Sequence, residues 1–262
     1  MSGEFEGKVV VVSGGSRGIG RGIGAAFARE GAQVVLASSS AEKLAAVADG
    51  IAKTGAKRPV TVAADLREIK GCEAVFEAVK SQFGRCDILV NSAGATKAGS
   101  FLQQPDGDWH DGFALKFYSA VRLCRLFWPM LTEAQGFVVN IIGGAARTPD
   151  PEFMVGGSVN AAVANFTKGL SGLGKRDGVN VNAILPGLTE TERVEQLFQQ
   201  RSAVMNISPE EVRELAVKKE GLRRLGQPED VAELTLFLSS ERARHIQGTS
   251  IAVDGGGTAG VY

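Results

Sequence analysis

The stretch SGGSRGIG sets Gly14, Gly18 and Gly20 between an apolar run and the first helical pattern. This G-x-x-x-G-x-G spacing suits a chain that must bring its backbone close to a pyrophosphate, whose charge then meets the free N–H groups and positive dipole end of a helix. Placed after a strand in a β-α-β unit, it points to dinucleotide binding rather than to an ordinary turn. At the end of the second strand, where an acid would bond a ribose 2′-OH, stand Ser38, Ser39 and Ser40. No carboxylate there repels a 2′-phosphate, and Arg17 can supply charge-assisted bonds, so NADP(H) is expected over NAD(H). The alternative is that Arg17 meets only the diphosphate while the serines cap the next helix.

Other chemistries are poorly provided for. His110 and His245 are the only histidines and lie far apart, which argues against a histidine metal site or a Ser-His-Asp triad. Cys72, Cys86 and Cys124 form no C-x-x-C pair, as expected of reduced, buried thiols in a cytoplasmic protein. The 29 lysines and arginines balance 29 aspartates and glutamates, so no electrostatic footprint for nucleic acid or an anionic membrane is visible. MSGEFEGKVVVVSGG carries acids before an apolar run too short for a signal or spanning helix, and a cytoplasmic location is expected.

Seven short β-branched runs could position these residues: 8–14, 32–38, 58–64, 86–92, 136–142, 178–184 and 248–254. Such continuous apolar runs suit strands covered on both faces. Between them lie helical stripes: Leu44, Val47 and Ile51; Cys72, Val75, Val79 and Phe83; a long one from Phe113 through Phe117 to Leu131; and Val231, Leu234 and Leu238. The alternation predicts an α/β, Rossmann-type doubly wound, seven-stranded parallel sheet with helices on both faces. No linker or repeat divides residues 1–262, so one domain is expected. A charged, helix-prone insertion over about 188–226 would lie near the carboxyl edge of the sheet as a lid.

The order and spacing of several motifs resemble the short-chain dehydrogenase/reductase family. SGGSRGIG looks like its opening, NSAG (Asn91–Gly94) like its N-N-A-G, and PGLTET (Pro186–Thr191) like its P-G-x-x-x-T. RLGQPEDVAELTLFLSS and HIQGTSIAVDGGG match its C-terminal third, so the resemblance runs from Gly7 to Gly257. It implies that Ser16, Arg17 and Ile19 line the diphosphate, Asp65 and Leu66 the adenine, and Asn91, Ala93 and Gly94 the adenosine ribose. Pro186, Gly187 and Thr189, with the Thr191 hydroxyl, would hold the nicotinamide. It also implies a small-molecule carbonyl or alcohol substrate and a homodimer or homotetramer, in which Ala161, Ala162, Ala164, Gly169 and Gly172 let a second helix approach.

At the reacting end the chain departs from the family, which uses an Asn–Ser–Tyr–Lys set. With VVNII anchoring the fifth strand, the serine falls on Gly143, the tyrosine on Gly156 and the lysine on Asn160, while DWHDGFALKF sets Lys116 against the asparagine. The only tyrosines are Tyr118 and Tyr262, and no lysine lies between Lys116 and Lys168, so no shift of register restores the set. Losing a positioned general acid forfeits about 10²- to 10⁴-fold in rate, roughly 3–5.5 kcal/mol. Three substitutes are conceivable: a substrate group admitted by space that Gly156 vacates, Lys116 as a donor to the oxyanion, or Ser158 acting with a water. Asn160 would still bond the nicotinamide ribose. The expected function is NAD(P)(H)-dependent hydride transfer with a non-standard proton donor. The alternative is a catalytically silent dinucleotide-binding protein, a sensor or inactive subunit.

Overall fold

The seven apolar runs all become strands in the computed structural model, which describes residues 3–258. They are β1 Val9–Ser13, β2 Gln33–Ser38, β3 Val60–Ala63, β4 Ile88–Asn91, β5 Phe137–Ile141, β6 Asn180–Pro186 and β7 Ser250–Val253. Every pairing is parallel, in the order β3-β2-β1-β4-β5-β6-β7, with the order reversing between β1 and β4. That reversal opens a crevice at the carboxyl ends of the central strands, where doubly wound sheets bind ligands.

Alternate side chains of one strand enter different cores, because a strand's residues point to opposite faces. Val10 and Val12 join Ile23 and Phe27 of α1 (Gly18–Arg29), Leu44 and Ile51 of α2 (Ala41–Lys53), and Val231 and Leu236 of α9 (Pro228–Leu238). Val9 and Val11 join Cys72, Val75 and Val79 of α3 (Ile69–Phe83) and Leu123, Cys124, Phe127 and Leu131 of α5 (Ser119–Glu133). The predicted stripes are the buried faces of these helices. All three cysteines are buried free thiols. No described helix is long and apolar enough to cross a membrane.

Two departures from regularity matter for the site. The long stripe from Phe113 to Leu131 does not run through one uniform helix. A short α4 (Asp106–Gly112) passes through a π-helical turn, Phe113–Tyr118, before α5 begins, and Lys116 sits in that turn. Single π turns widen a helix locally and redirect its side chains. The insertion folds as α7 (Glu192–Met205) and α8 (Pro209–Lys219), whose Phe198 and Val212 share a small core with Leu225. Between β5 and β6 lies α6 (Met154–Asp177), so Gly156 and Gly157 lie in its first turn.

Candidate active site

A cleft of about 440 Å³ lies along the carboxyl edge of the sheet. Its phosphate end is made by backbone. Gly14 has φ +74°, and a Cβ there would stand 2.8 Å from the Ala93 Cα. One on Gly20 would stand 2.3 Å from the Gly14 carbonyl oxygen. Ser13 Oγ accepts from the N–H groups of Ser92 (3.1 Å) and Ala93 (3.2 Å), which fastens the turn after β4 to β1. The N-cap of α1 is Arg17, whose side chain does not cap the helix. The N–H of Gly18 instead donates to Glu192 Oε2 of the insertion at 3.1 Å, and Arg21 pairs with the other oxygen at 2.8 Å. A carboxylate thus already selects the place where a helix N-terminus attracts an anion.

Most predicted contacts converge on this cleft. Gly14, Ser16, Arg17, Gly18, Ile19 and Gly20 line it, as do Ser38, Ser39, Asp65, Leu66, Ala93, Gly94, Asn160, Pro186, Gly187, Thr189 and Thr191. Two do not. Ser40 is the N-cap of α2, its Oγ accepting from the Lys43 N–H at 3.3 Å, because a helix start leaves that donor unpaired. The capping alternative therefore holds for Ser40 alone. Asn91 is buried beneath the cleft, its amide donating to Asn140 Oδ1 at 2.8 Å, while Asn140 donates to Thr167 Oγ1 of α6 at 2.8 Å. That chain ties β4 and β5 to the helix that carries Asn160, so Asn91 supports the site from below.

The residues present fit a dinucleotide. The phosphate cradle is one that a Cβ at Gly14 or Gly20 would fill. At the other end, Asn160 is buried and its Oδ1 has no hydrogen-bond partner. A buried acceptor without a partner is costly, and a ribose hydroxyl would satisfy it.

The reacting end differs from its sequence expectation in two respects, at Gly156 and at Ser158. Gly156 does not widen the cleft. A Cβ on Gly156 would stand 2.0 Å from Cζ of Phe153, whose ring fills the space and lines the cleft itself. Nor does Gly143 leave a void, since Asn160 Nδ2 would stand 2.9 Å from a Cβ there. Ser158 is exposed and not among the lining residues, which removes it as a donor. Tyr118 is 48% exposed, with Arg122 stacked 5.6 Å from its ring, and it does not line the cleft. Tyr262 lies outside the described residues. Lys168 is exposed and donates to the Gly248 carbonyl at 3.2 Å, away from the cleft.

Lys116 remains. Its stem passes beside Gly94, where a Cβ would stand 3.0 Å from the lysine Cδ, so the missing side chain makes the lysine's path. The residue is partly accessible, but what it faces is the cleft rather than open solvent. Burial, and next the positive charge of Arg193, lower its pKa to about 8. Arg193 follows Thr191 at the start of α7 and donates to the Thr96 carbonyl oxygen at 2.7 Å, bridging the insertion to the loop after β4. Sequence reasoning named Lys116 but missed Phe153, Glu192 and Arg193. Phe153 precedes Gly156 by one helical turn, and Glu192 and Arg193 directly follow the P-G-x-x-x-T motif; those positions were the available signals.

Comparison with known proteins agrees with this geometry. Residues 14–258 match the family model described as enoyl-(acyl carrier protein) reductase. The chain is 32% identical to the 7alpha-hydroxysteroid dehydrogenase of Bacteroides fragilis, over 96% of this chain and 95% of that one. It is 31% identical to the meso-2,3-butanediol dehydrogenase of Serratia marcescens, covering 97% and 96%. The crystal structure of L-sorbose reductase from Gluconobacter frateurii, complexed with NADPH and L-sorbose, superposes with a TM-score of 0.95 at 30% identity over 100% of both chains. With its parallel sheet, glycine cradle and these relatives, the chain belongs to the short-chain dehydrogenase/reductase family of NAD(P)-dependent oxidoreductases.

Proposed function

We propose that this protein is an NADP(H)-dependent carbonyl reductase in which Lys116 supplies the proton that a tyrosine supplies in the family pattern. The observation that carries this reading is an enclosed amine, lowered to about 8, facing the reacting end of the cleft. A general acid works best when its pKa lies near the working pH.

Backbone at the glycine loop would hold the diphosphate, with Ser16 and Arg17 beside it. Ser38 and Ser39 would face the 2′-phosphate, Asp65 and Leu66 the adenine, and Ala93 and Gly94 the adenosine ribose. Asn160 Oδ1 would accept from the nicotinamide ribose. Pro186, Gly187, Thr189 and Thr191 would enclose the nicotinamide. When bound, the reduced dinucleotide supplies a hydride to the carbonyl carbon. Lys116 Nζ donates its proton to the carbonyl oxygen, is left as a neutral amine, and recovers a proton from water. Until that transfer its positive charge stabilises the growing oxyanion.

The preference for NADP(H) rests on Ser38 and Ser39, with no acid at the end of β2. Two other solved relatives point the same way: YwfH is an NADPH-dependent reductase, and the actinorhodin polyketide ketoreductase was crystallised with NADPH. We also place residues 188–226 as a lid within a single domain, in a cytoplasmic homo-oligomer. A stripe on α6 supports the oligomer, since nothing stands within 4 Å of a Cβ built on Gly169 or Gly172.

Titration with NADPH and NADH by fluorescence, followed by a carbonyl and alcohol panel read at the nicotinamide absorbance band, tests the proposal. NADPH is expected to bind more tightly and to be consumed by at least one carbonyl class. Tight binding with no turnover would favour a silent dinucleotide-binding subunit, a reading that the glycines at 143 and 156 support.

A further inference from the structure

Two cations meet at the reacting end without an acid to balance them. Lys116 comes from the π turn below the cleft and Arg193 from the first turn of α7 above it. The charge of Arg193 acts on Lys116, and Arg193 itself feels Arg17. Among the described residues, the one hydrogen bond of the Arg193 side chain goes to a neutral carbonyl, Thr96 O, at 2.7 Å.

The two acids that line the cleft, Asp65 and Glu192, are engaged elsewhere, as are two acids of α4. On the helix that leads to Lys116, Asp108 pairs with Lys97 at 2.8 Å, and Asp111 pairs with Arg67. Across the cleft, Glu192 is held by the Gly18 N–H and by Arg21. Asp65, at the adenine end, accepts from the N–H of Arg67 at 3.0 Å and from its guanidinium at 3.2 Å. No acidic group is left to face Lys116 or Arg193 among the described residues, and both line the same cavity. Arg193 is exposed and Lys116 partly accessible, so water screens part of their repulsion, yet two like charges lining one cavity still draw an anion between them.

We propose that Lys116 and Arg193 form an anion subsite, and that the substrate is a carbonyl compound carrying a carboxylate, an oxo acid. The word substrate rests on the reductase reading above; the anion subsite does not. The planar fork of Arg193 matches a carboxylate in two-point contact, while Lys116, a compact charge, is free to face the carbonyl oxygen. Reduction then moves a hydride from the nicotinamide to the carbonyl carbon and a proton from Lys116 Nζ to its oxygen, yielding a hydroxy acid. The carboxylate has a second effect. An opposite charge nearby favours the ammonium form, so an acidic substrate secures the proton that its own reduction consumes. A neutral ketone meets the same lysine with only Arg193 beside it.

The test uses 2-oxo and 3-oxo acids with their methyl esters and amides, titrated into the protein–NADPH complex. Nicotinamide fluorescence reads binding and absorbance reads turnover. The acids are expected to bind about tenfold or more tighter than their esters, on the order of 1.4 kcal/mol. Their rates should hold to higher pH than those of the esters before falling. Arg193→Met should erase the difference while leaving NADPH affinity intact, and Arg193→Lys should keep part of it.

Acids that bind no better than esters overturn the subsite. So does an Arg193→Met protein that loses NADPH but still discriminates, because the arginine then serves the cofactor. If acids bind selectively yet nothing turns over, the subsite stands and the reductase reading fails. If neutral ketones and esters are reduced as well as acids, the reductase reading stands and the subsite fails.

Discussion

At the glycine-loop end of the cleft the backbone forms the binding surface, and a side chain would be an obstacle: a Cβ on Gly14 or Gly20 meets main-chain atoms at 2.8 and 2.3 Å. At the reacting end the opposite holds. The backbone is open there, and side chains from neighbouring positions have moved in, Phe153 over Gly156, Asn160 over Gly143 and Lys116 past Gly94. A backbone cradle tolerates almost no substitution, because its shape is the function. A side-chain site can be rebuilt, because a residue from the next turn or the next element can fill the gap. The asymmetry lets one half of the cleft keep its glycine spacing while, in the other, neighbouring side chains occupy the space at Gly143 and Gly156.

The largest effect is expected from removing the Lys116 amine. Lys116→Met should lower reduction by about 10²- to 10⁴-fold, the worth of a general acid, with NADPH affinity unchanged. The wild-type rate should fall as pH rises through about 8, because the ammonium that gives the proton is then lost. Alcohol oxidation should rise over the same range, since the neutral amine accepts the proton. Lys116→Arg should retain charge without that titration, giving a lower rate with no limb near the lysine's pKa. A Lys116→Met protein that reduces carbonyls at the wild-type rate would put the proton donor elsewhere.

The next largest effect belongs to the other end. Gly14→Ala forces a side chain into a positive φ, costing about 1–3 kcal/mol, and overpacks the turn after β4, costing about as much again. Thermal unfolding should shift downward by roughly 5 °C or more, and NADPH binding should be lost with it. If Gly14→Ala leaves both unchanged, this end is no more rigid than the rebuilt one.

Gly156→Tyr tests whether the family arrangement can be restored. The Phe153 ring occupies the new side chain's first atom, so the single variant should be destabilised by about 1–3 kcal/mol. Adding Phe153→Ala should recover most of that in a denaturant melt. Equal stability of the single and double variants would mean that Phe153 is not what fills the site.

What could be read from the sequence divides along the same line. All seven strands were visible as continuous β-branched runs; six are trimmed by a residue or two where pairing stops, and β6 starts two residues later and runs two residues further, to Pro186. The phosphate end was visible because backbone binding leaves a local signature in glycine spacing. Ser40 and Asn91 were misplaced for a shared reason: a motif identifies a segment, whereas the choice between cleft and interior depends on one rotation along it. Phe153, Glu192 and Arg193 carried no motif, since their positions depend on how the insertion and the start of α6 fold back over the sheet. Lys116 was visible as a residue type. Its place in the cleft came only with the π turn and Gly94, which admit its side chain.

Cofactor choice gives a smaller effect, confined to the phosphate end. Ser38→Asp places a carboxylate where the 2′-phosphate is expected and should weaken NADPH relative to NADH by on the order of tenfold, about 1.4 kcal/mol. Ser38 Oγ already accepts from the Ser40 N–H at 3.4 Å, and a carboxylate can keep that bond, so the fold should be unaffected. Competitive titration of the two nucleotides reads the ratio directly.

The smallest effect lies where the two ends meet. Glu192 comes from the insertion, next to Arg193 of the reacting end, yet its carboxylate rests on the Gly18 N–H of the phosphate end. It sits where a diphosphate would draw on the same helix dipole, so the two negative groups compete. Its pair with Arg21 is solvent-accessible on both sides, 48% and 40%, and such a pair contributes about 0–1 kcal/mol. The dipole contact adds about 0.3–1 kcal/mol. Glu192→Gln keeps a carbonyl acceptor for the Gly18 N–H but removes the charge. NADPH should therefore bind a few-fold more tightly, with little change in melting temperature and a shallower dependence on salt. Weaker binding in this variant would mean that Glu192 helps to hold the nucleotide rather than occupying its place.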